Sequence, residues 1–511
     1  FPAEFKRLQK SVEYLIKRFK IIGNNNVDFE FINPNNNPNE KEKNNLFKQL
    51  VKQQLSPTDL EIKSDGKQVN QIIFPGAIIY YKEKQAAVNF LKQFPGESTK
   101  SNINRSIETL EYEFLSAIEH LTKNNLTKIA FLEGNGELNE QQVYDITESV
   151  IDDNFNLSYH YKVDRFNIKE FVIDTATNNP DILKQIQLLS SYKAIIIAKP
   201  TIPFNKLDKL LIDQYIMQGG KVLWLVDGVK ASMDSLQNES GFFIATKNPL
   251  NIDDQLFRYG VRINSNLIQD LRSIEIPIIT GYSNNVPQQS YFHWPYSPLL
   301  FSDSKHIISN GLDAIKCEFV STIDTIKNNI HKTILLHSSN NSRINPTPSK
   351  ISLGILEKPP LPNSYNKEFL PIAILLEGEF ESVFKDKLVE KNNNIKLIKK
   401  STSNKMIVVS DGDLIANDIS KSGTIYPLGY DKNIKFTFNG NKHFLINAVQ
   451  YLCGDNSISH LKLKDLSLRI LDKKKIRENR FIIQLINIAF PILLFIIFAL
   501  FFISYKKRKY A

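Results

Sequence analysis

Few side chains in this 511-residue sequence combine a type and a spacing suited to chemistry. The clearest group is the turn Gly134-Asn135-Gly136-Glu137, which follows the apolar run KIAFLE. A glycine turn that joins a strand to a helix N-terminus exposes backbone N–H groups, and these favour an anion. A structural interpretation competes with this one: a tight turn in which the helix dipole stabilises Glu137. We therefore treat the turn as a candidate ligand or partner surface.

A second candidate, Asp227, ends the apolar run KVLWLV and is followed by a glycine. Ligands of α/β folds bind at the carboxyl ends of the strands, but one acid and one glycine do not identify a ligand. Glu133, Glu137 and Asp411 could converge with Asp227 at this edge. The sequence therefore leaves a two-carboxylate site open as an alternative.

The other reactive side chains do not form a catalytic or metal-binding set. Cys317 and Cys453 are too few for a cysteine zinc site or a disulfide framework, and two free buried thiols are favoured over one long-range bridge. Neither cysteine follows a strand-to-helix elbow, and the histidines are scattered. Gly219-Gly220-Lys221 lacks the first glycine and the hydroxyl of a phosphate-binding loop. We therefore predict no catalytic, cofactor-binding or metal-binding residue, and no enzymatic activity.

An alternation of strands and helices must position these residues. The runs KIAFLE, AIIIA and KVLWL are typical of buried parallel strands, and helical segments separate them. This pattern predicts an α/β fold with a parallel sheet that is covered on both faces. We also predict a strand over residues 27–34 and a helix over residues 137–153, directly after the glycine turn.

Shifts in composition divide the sequence into several domains. An aromatic cluster formed by Tyr291, Phe292, Trp294 and Tyr296 is either a binding surface or the packed core of a second domain. The predicted parts are an N-terminal α/β domain (1–100), a central α/β domain (101–260), a second α/β region that packs on it (261–460), a basic linker (461–480), a transmembrane helix (481–504) and a basic tail (505–511).

The predicted transmembrane helix contains the uncharged stretch FIIQLINIAFPILLFIIFALFFI. As a helix, this stretch would be about 35 Å long, enough to cross a hydrocarbon core of about 30 Å. Gln484 and Asn487 are either interfacial or bonded to a partner helix, and Pro491 is a tolerated kink. The short basic tail favours a cytoplasmic C-terminus and therefore an extracytoplasmic body. Because the chain begins at Phe1 without a signal pattern, we expect an upstream signal or first transmembrane helix.

The formal net charge of +10 is concentrated around this stretch. Basic clusters within residues 473–480 and 506–509 contribute nine positive charges, and anionic membrane lipid is their expected partner. What remains is too weak to indicate nucleic acid, and no nucleic-acid-binding motif occurs. The whole chain, with 42% hydrophobic and 23% charged residues, has the composition of a folded, water-facing body.

Several blocks of the sequence resemble the GldG-type gliding-motility proteins of Bacteroidetes. The blocks are FPAEFKRLQ, FLEGNGE, KAIIIAKPTIPF, IDQYIMQGGKVLWLVDGV, LNIDDQLFRYGVRINSNLIQDL, the segment Trp294–Leu300 and ILLEGEFES. The resemblance implies an auxiliary, substrate-binding-like subunit of an ABC transporter. It also implies a permease partner, an ATPase reached through the permease, and a glutamine-amidotransferase-like central domain without catalysis. Family members often carry a histidine where this chain has Asn135, which argues against an acid–base role there.

These observations predict a non-enzymatic accessory subunit in the inner (cytoplasmic) membrane, with its large domain in the periplasm. Two alternatives stay open. One is a membrane-tethered amidotransferase-like or hydrolase-like enzyme, which depends only on the α/β architecture. The other is a solute-binding protein in the strict sense, with its ligand in a cleft between two lobes.

Overall fold

The structure is a computed structural model that describes most of the chain. The described residues are 2–36, 38–64, 67–92, 98–123, 125–151, 155–173, 179–238, 240–283, 286–302, 305–385, 397–455, 498, 499, 502 and 505. The chain divides into two compact units, Phe1–Lys464 and Asp465–Ala511. The four described residues of the second unit are all helical.

The N-terminal part of the first unit combines helices with two β-hairpins. Its elements are α1 (Ala3–Ile22), α2 (Glu40–Lys52), β1 (Thr58–Ser64), β2 (Lys67–Ile73), β3 (Gly76–Tyr81), β4 (Lys84–Asn89) and α3 (Thr99–Thr122). Strand β1 pairs with β2, and β3 with β4, both antiparallel. Apolar residues of α1, β4 and α3 form one core, in which Val12, Val88 and Phe114 are buried.

The next elements alternate between strands and helices, as the apolar runs predict. They are β5 (Thr127–Glu133), α4 (Tyr144–Thr147), α5 (Leu157–His160), β6 (Tyr161–Asn167), α6 (Ile182–Leu189), β7 (Ala194–Ala198), α7 (Lys206–Met217) and β8 (Lys221–Leu225). A capping box formed by Asn205 and Asp208 fixes the start of α7.

The elements that follow are mostly strands. They are β9 (Val229–Lys230), β10 (Phe242–Lys247), α8 (Asp253–Tyr259), β11 (Val261–Ile263), β12 (Asn266–Asp270), β13 (Ser273–Ser283), β14 (Val286–Leu300), β15 (Ile315–Lys316), β16 (Ile323–Thr325), β17 (His331–His337), β18 (Ser342–Pro346), β19 (Ser349–Ser352), α9 (Gly354–Glu357), β20 (Pro371–Glu381), β21 (Lys400–Val409), β22 (Tyr430–Asp431), β23 (Phe436–Thr437) and α10 (Gly440–Cys453). Short 3-10 helices occur at Pro34–Asn36, Gln141–Val143, Met233–Leu236, Pro362–Ser364 and Asp413–Ile415.

A seven-stranded sheet in the order β17-β20-β21-β8-β7-β5-β6 is the centre of the fold. The five strands from β21 to β6 run parallel to one another, whereas β20 and β17 are antiparallel to their neighbours. The α/β class and the parallel sheet are therefore confirmed. The sheet also takes strands β17, β20 and β21 from the region predicted to pack on the central domain. The domain boundaries drawn from the sequence stay predictions.

Both faces of this sheet are covered. Successive residues of each strand point to opposite faces, and each face has its own core cluster. On β7, Ala194, Ile196 and Ala198 belong to one core cluster, and Ile195 and Ile197 to the other. Helix α10 contributes to the first cluster, and helices α6, α7 and α8 contribute to the second. This two-sided burial explains why β7 is apolar at every position.

Two predicted elements are wrong. Residues 27–33 form no strand, and Phe29 and Phe31 are exposed with their rings 5.8 Å apart, because no neighbouring strand pairs with this segment. The helix predicted over residues 137–153 is reduced to one 3-10 turn and α4. Asp145 accepts a hydrogen bond from the backbone N–H of Val150 at 2.6 Å, and Ser149 has a φ of +73°. These two features end the helix early.

The aromatic cluster predicted as core or surface is divided between the two. Trp294 and Tyr296 on β14 are buried in a core cluster that covers the β13–β14 ribbon. Tyr291 and Phe292 are 50% and 36% exposed on the same strand. Only the second half of the cluster sequence is therefore core.

None of the helices within the described residues is long and apolar enough to span a membrane. The transmembrane helix predicted over residues 481–504 falls almost entirely outside the described part of the chain. The same holds for Gln484, Asn487 and Pro491, and their roles stay predictions.

Candidate functional site

The carboxyl ends of four parallel strands bring the predicted site residues to one edge of the sheet. Strands β5, β7, β8 and β21 end there, and loops containing Gly134, Lys199, Asp227 and Asp411 follow them. The loop after β7 is bonded to the end of β8, because the N–H of Lys199 donates to the carbonyl of Leu225 at 2.9 Å. We call this region the carboxyl edge.

The Gly134–Glu137 turn is closed by neighbouring backbone. The carbonyl of Asn135 accepts hydrogen bonds from the N–H groups of Thr201 and Ile202, both at 2.9 Å. Gly136 has a φ of +71°, and an added Cβ atom would collide with the Thr201 hydroxyl. Its partner Gly134 also has a positive φ, of +116°. Glycine is therefore required at both positions for backbone geometry and close packing.

The side chain of Asn135 is fully buried and points into the protein. Its amide group donates to the carbonyl of Pro203 at 3.2 Å and to Oδ2 of Asp208 at 3.4 Å. Asp208 also accepts hydrogen bonds from the ammonium group of Lys169 and, at 2.8 Å, from the N–H of Asn205. Asn135 therefore attaches the turn to the start of α7.

Glu137 folds back onto its own turn. Its Oε2 accepts a hydrogen bond from the backbone N–H of Asn135 at 2.7 Å, and burial raises the pKa of the carboxyl group. The expectation that the turn leads directly into a helix N-terminus is wrong, because the first helical residues begin at Gln141. The contacts favour the structural interpretation of the turn, and its role as a ligand or partner surface stays a prediction.

Asp227 belongs to a cluster of three carboxyl groups and one ammonium group. Ligand oxygens of Asp227, Asp411 and Asp413 all lie within 4.8 Å of one another. The ammonium group of Lys199 contacts Asp413 directly and lies 3.8 Å from Asp227. Oδ1 of Asp227 also accepts a hydrogen bond from the N–H of Gly412 at 2.5 Å. We call these four charged residues the acidic cluster.

One positive charge cannot neutralise three carboxylates in a buried site. Burial and the neighbouring Asp413 raise the pKa of Asp227 to about 7, against the opposing effect of Lys199. Burial, then Asp413 and Asp227, raise the pKa of Asp411 well above its usual value. Burial lowers the pKa of Lys199, but the three aspartates outweigh it and raise that pKa overall. Burial and the mutual repulsion of the carboxyl groups therefore favour the protonated forms of Asp227 and Asp411.

The acidic cluster has the composition of a divalent-cation site, since carboxylate oxygens are the preferred ligands of Ca²⁺ and Mg²⁺. Asp411, however, already accepts hydrogen bonds from the N–H groups of Asp413 and Leu414 at 2.8 and 3.1 Å, and of Glu318 at 3.1 Å. The ammonium group of Lys199 supplies the positive charge beside the other two carboxyl groups. We interpret the cluster as a network of ion pairs and hydrogen bonds that joins three loops.

The predicted convergence of carboxylates is confirmed only in part. Asp227 and Asp411 meet, but Glu133 pairs with Arg165, and Glu137 bonds within its turn. Lys199 and Asp413 join the cluster, although the sequence did not single them out. Both stand just after a buried strand, and a search of the positions that follow each apolar run would have found them.

The two cysteines are free and buried, as favoured from the sequence. Burial, followed by the neighbouring Asp411, raises the pKa of the Cys317 thiol well above its usual value. Burial, followed by Asp455, raises the pKa of Cys453 to about 12. A thiol must ionise to act as a nucleophile, so neither cysteine is an activated nucleophile at neutral pH.

Comparison with known proteins gives one family over the whole of the central sheet. Residues 126–448 match the family model described as "ABC-type uncharacterized transport system". Residues 1–80 match a second model, which describes a domain of unknown function. No curated protein matches the sequence. Among solved structures, the mmIFT52 N-terminal domain is similar over 64% of this chain and 97% of its own, with 15% identity and a TM-score of 0.34.

Proposed function

The chain belongs to the family of ABC-type uncharacterized transport systems, and we propose that it is a non-enzymatic accessory subunit of such a transporter. The observation that carries this proposal is the match over residues 126–448, which include all seven strands of the central sheet. An accessory subunit requires a stable body and a contact with the transporter, but no reactive group. The protonated state of both thiols at neutral pH is consistent with that role.

The proposed subunit is anchored in the inner membrane, with the folded body on the periplasmic side. The uncharged stretch within residues 481–504 and the basic tail after it support this arrangement. The proposed direct partner is the permease, and the ATPase is reached through it. The resemblance of several sequence blocks to GldG-type proteins supports an association with gliding motility, and the amidotransferase-like relationship of the central domain belongs to the same proposal.

Co-purification tests the proposed assembly. The full chain, tagged and extracted from its native membrane in mild detergent, is expected to retain a permease and an ATPase. A variant that ends after Arg480 is expected to lose both, because Gln484 and Asn487 are proposed to bond to permease helices. The variant Gln484→Leu/Asn487→Leu keeps the apolar stretch, and so separates loss of these contacts from loss of the anchor.

Two outcomes would contradict parts of this proposal. If the full chain retains neither permease nor ATPase under conditions that preserve other transporters, the accessory role is wrong. If the variant ending after Arg480 retains both at full yield, the contact with the transporter lies in the folded body instead.

A further inference from the structure

A cavity of about 290 Å³ lies at the edge of the sheet opposite the carboxyl edge. It opens where strands β5, β7 and β8 begin and where helices α6 and α7 end. Its wall contains two serines, two tyrosines, a threonine, a glutamine, two glycines and three lysines. The lysines are Lys128, Lys193 and Lys221. The wall contains the Gly219-Gly220-Lys221 sequence, which does not form a phosphate-binding loop.

The charge of this wall is strongly positive. Three lysines line the cavity, and no aspartate or glutamate among the described residues does. Within the described part of the chain, none of Lys128, Lys193 and Lys221 forms an ion pair with a carboxylate. Burial and the nearby charge of Lys193 lower the pKa of Lys221, as expected for positive charges without compensation.

The negative ends of two helix dipoles offset only part of this positive charge. Helices α6 and α7 end at Leu189 and Met217, beside the cavity, and each C-terminus carries about −0.5 elementary charge. Lys221 already compensates part of the negative helix end of α7, because its ammonium group donates to the carbonyl of Gly219 at 2.7 Å. Two helix ends offset about one of the three positive charges, so a net charge of about +2 remains.

A phosphate group matches this charge. At neutral pH a phosphomonoester carries about −1.5 to −2 charges, close to the uncompensated charge of the cavity. Lysine binds phosphate as a point charge, so the three lysines of this wall suit a phosphate group. The volume is slightly below the range of about 300–1,000 Å³ that is usual for small-molecule sites.

We propose that the cavity bounded by Lys128, Lys193 and Lys221 binds a small phosphate-bearing anion. The side chains of Lys128 and Lys193 are exposed, and that of Lys221 is half-buried. The backbone N–H groups of Ser190, Gly219 and Gly220 already donate within their helix ends, so the lysines supply the attraction. The site lies at the edge of the sheet opposite the acidic cluster and does not depend on the transporter role.

Titration with inorganic phosphate tests this proposal on the full chain purified in detergent. At constant ionic strength, phosphate is expected to raise the Tm with saturation, because a ligand that binds only the folded state stabilises it. The variant Lys128→Gln/Lys193→Gln changes two exposed side chains and is expected to weaken the apparent Kd by about tenfold or more. Isothermal titration calorimetry measures the same constant directly.

The matched control is Lys184→Gln/Lys206→Gln, which removes two positive charges from exposed positions in the first turns of α6 and α7, outside the cavity. It is expected to bind phosphate like the unmodified chain. The proposal is overturned if chloride at equal ionic strength gives the same Tm shift as phosphate. It is also overturned if both double variants weaken binding equally, which would indicate only general electrostatic attraction.

A second arm identifies the source of the phosphate. Vesicles of phosphatidylcholine with or without phosphatidic acid are added to the full chain and to Lys128→Gln/Lys193→Gln. The source is a lipid headgroup if the full chain binds vesicles with phosphatidic acid, free phosphate displaces them, and Lys128→Gln/Lys193→Gln does not bind them. Saturable binding of free phosphate, with equal vesicle binding by both chains, assigns a soluble phosphate compound.

Discussion

At the scale of single residues, Lys199 is the side chain that holds the carboxyl edge together. Its backbone N–H bonds to the end of β8, and its ammonium group pairs with Asp413 in the loop after β21. Gly412 packs directly on Lys199, since an added Cβ atom would lie 2.6 Å from Cγ of that lysine. One residue therefore fixes the relative positions of three loops.

The raised pKa of Asp227 predicts a pH-dependent stability. Because the pKa in the folded state is about 7 and that of an unfolded aspartate is about 3.9, the folded state binds more protons between these values. The contribution of Asp227 to the free energy of unfolding is therefore complete below about pH 4. It falls as the pH rises from about 4 and is lost once the pH has passed about 7. Relative to the unmodified chain, Asp227→Asn should gain unfolding free energy over this window.

The expected gain is on the order of a few kcal/mol, because each unit of pKa shift corresponds to about 1.4 kcal/mol. Urea unfolding at a series of pH values measures the difference between the two chains. Glu140→Gln, at an exposed position, is the control and should run parallel to the unmodified chain. A constant difference between Asp227→Asn and the unmodified chain from pH 4 to 8 would show that Asp227 titrates normally.

At the scale of elements, the local sequence pattern predicts the buried strands but not how distant strands pair. The apolar runs at β5, β7 and β8 identify buried parallel strands because both faces of the sheet are covered. Alternation over residues 27–34 was misleading, because a strand also requires a neighbour to pair with. The convergence of Asp227, Asp411 and Asp413 depends on the pairing of β8 with β21, which is distant in sequence and has no local signal.

The glycine turn after β5 gives a prediction about packing. Gly136→Ala places a side chain at a φ of +71° and against the Thr201 hydroxyl. Gly423→Ala has a similar φ of +85°, but its Cβ atom would meet nothing within 4 Å. Both substitutions should cost about 1–2 kcal/mol through the backbone, and Gly136→Ala should cost about 1–3 kcal/mol more through overpacking.

Urea denaturation of the two variants measures this difference. Equal loss of unfolding free energy in Gly136→Ala and Gly423→Ala would mean that Thr201 moves aside without cost. Loss of more than the backbone contribution in Gly136→Ala alone would support the closed packing of the turn.

At the scale of the whole molecule, a folded body is followed in sequence by a basic and then an uncharged segment. This order predicts one orientation in the membrane, because short basic tails stay in the cytoplasm whereas long domains are translocated regardless of charge. Residues 1–475 are therefore expected outside the cytoplasm, and residues 506–511 inside it.

Protease added to intact spheroplasts should degrade the body and leave a cytoplasmic control protein untouched. A tag after Ala511 should remain protected until the spheroplasts are lysed. Full protection of the body under these conditions would reverse the predicted orientation.

The parallel pairing of β8 with β21 also has a consequence for biosynthesis. Val222 pairs with Met406, which is 184 residues later in the chain. A ribosome adds about 5–20 residues per second. The edge of β8 that pairs with β21 therefore stays unpaired for about 10 to 40 s, until β21 has been made. An open strand edge of this kind readily recruits other chains. We therefore expect the newly made N-terminal half to need chaperone protection until residues 400–409 emerge.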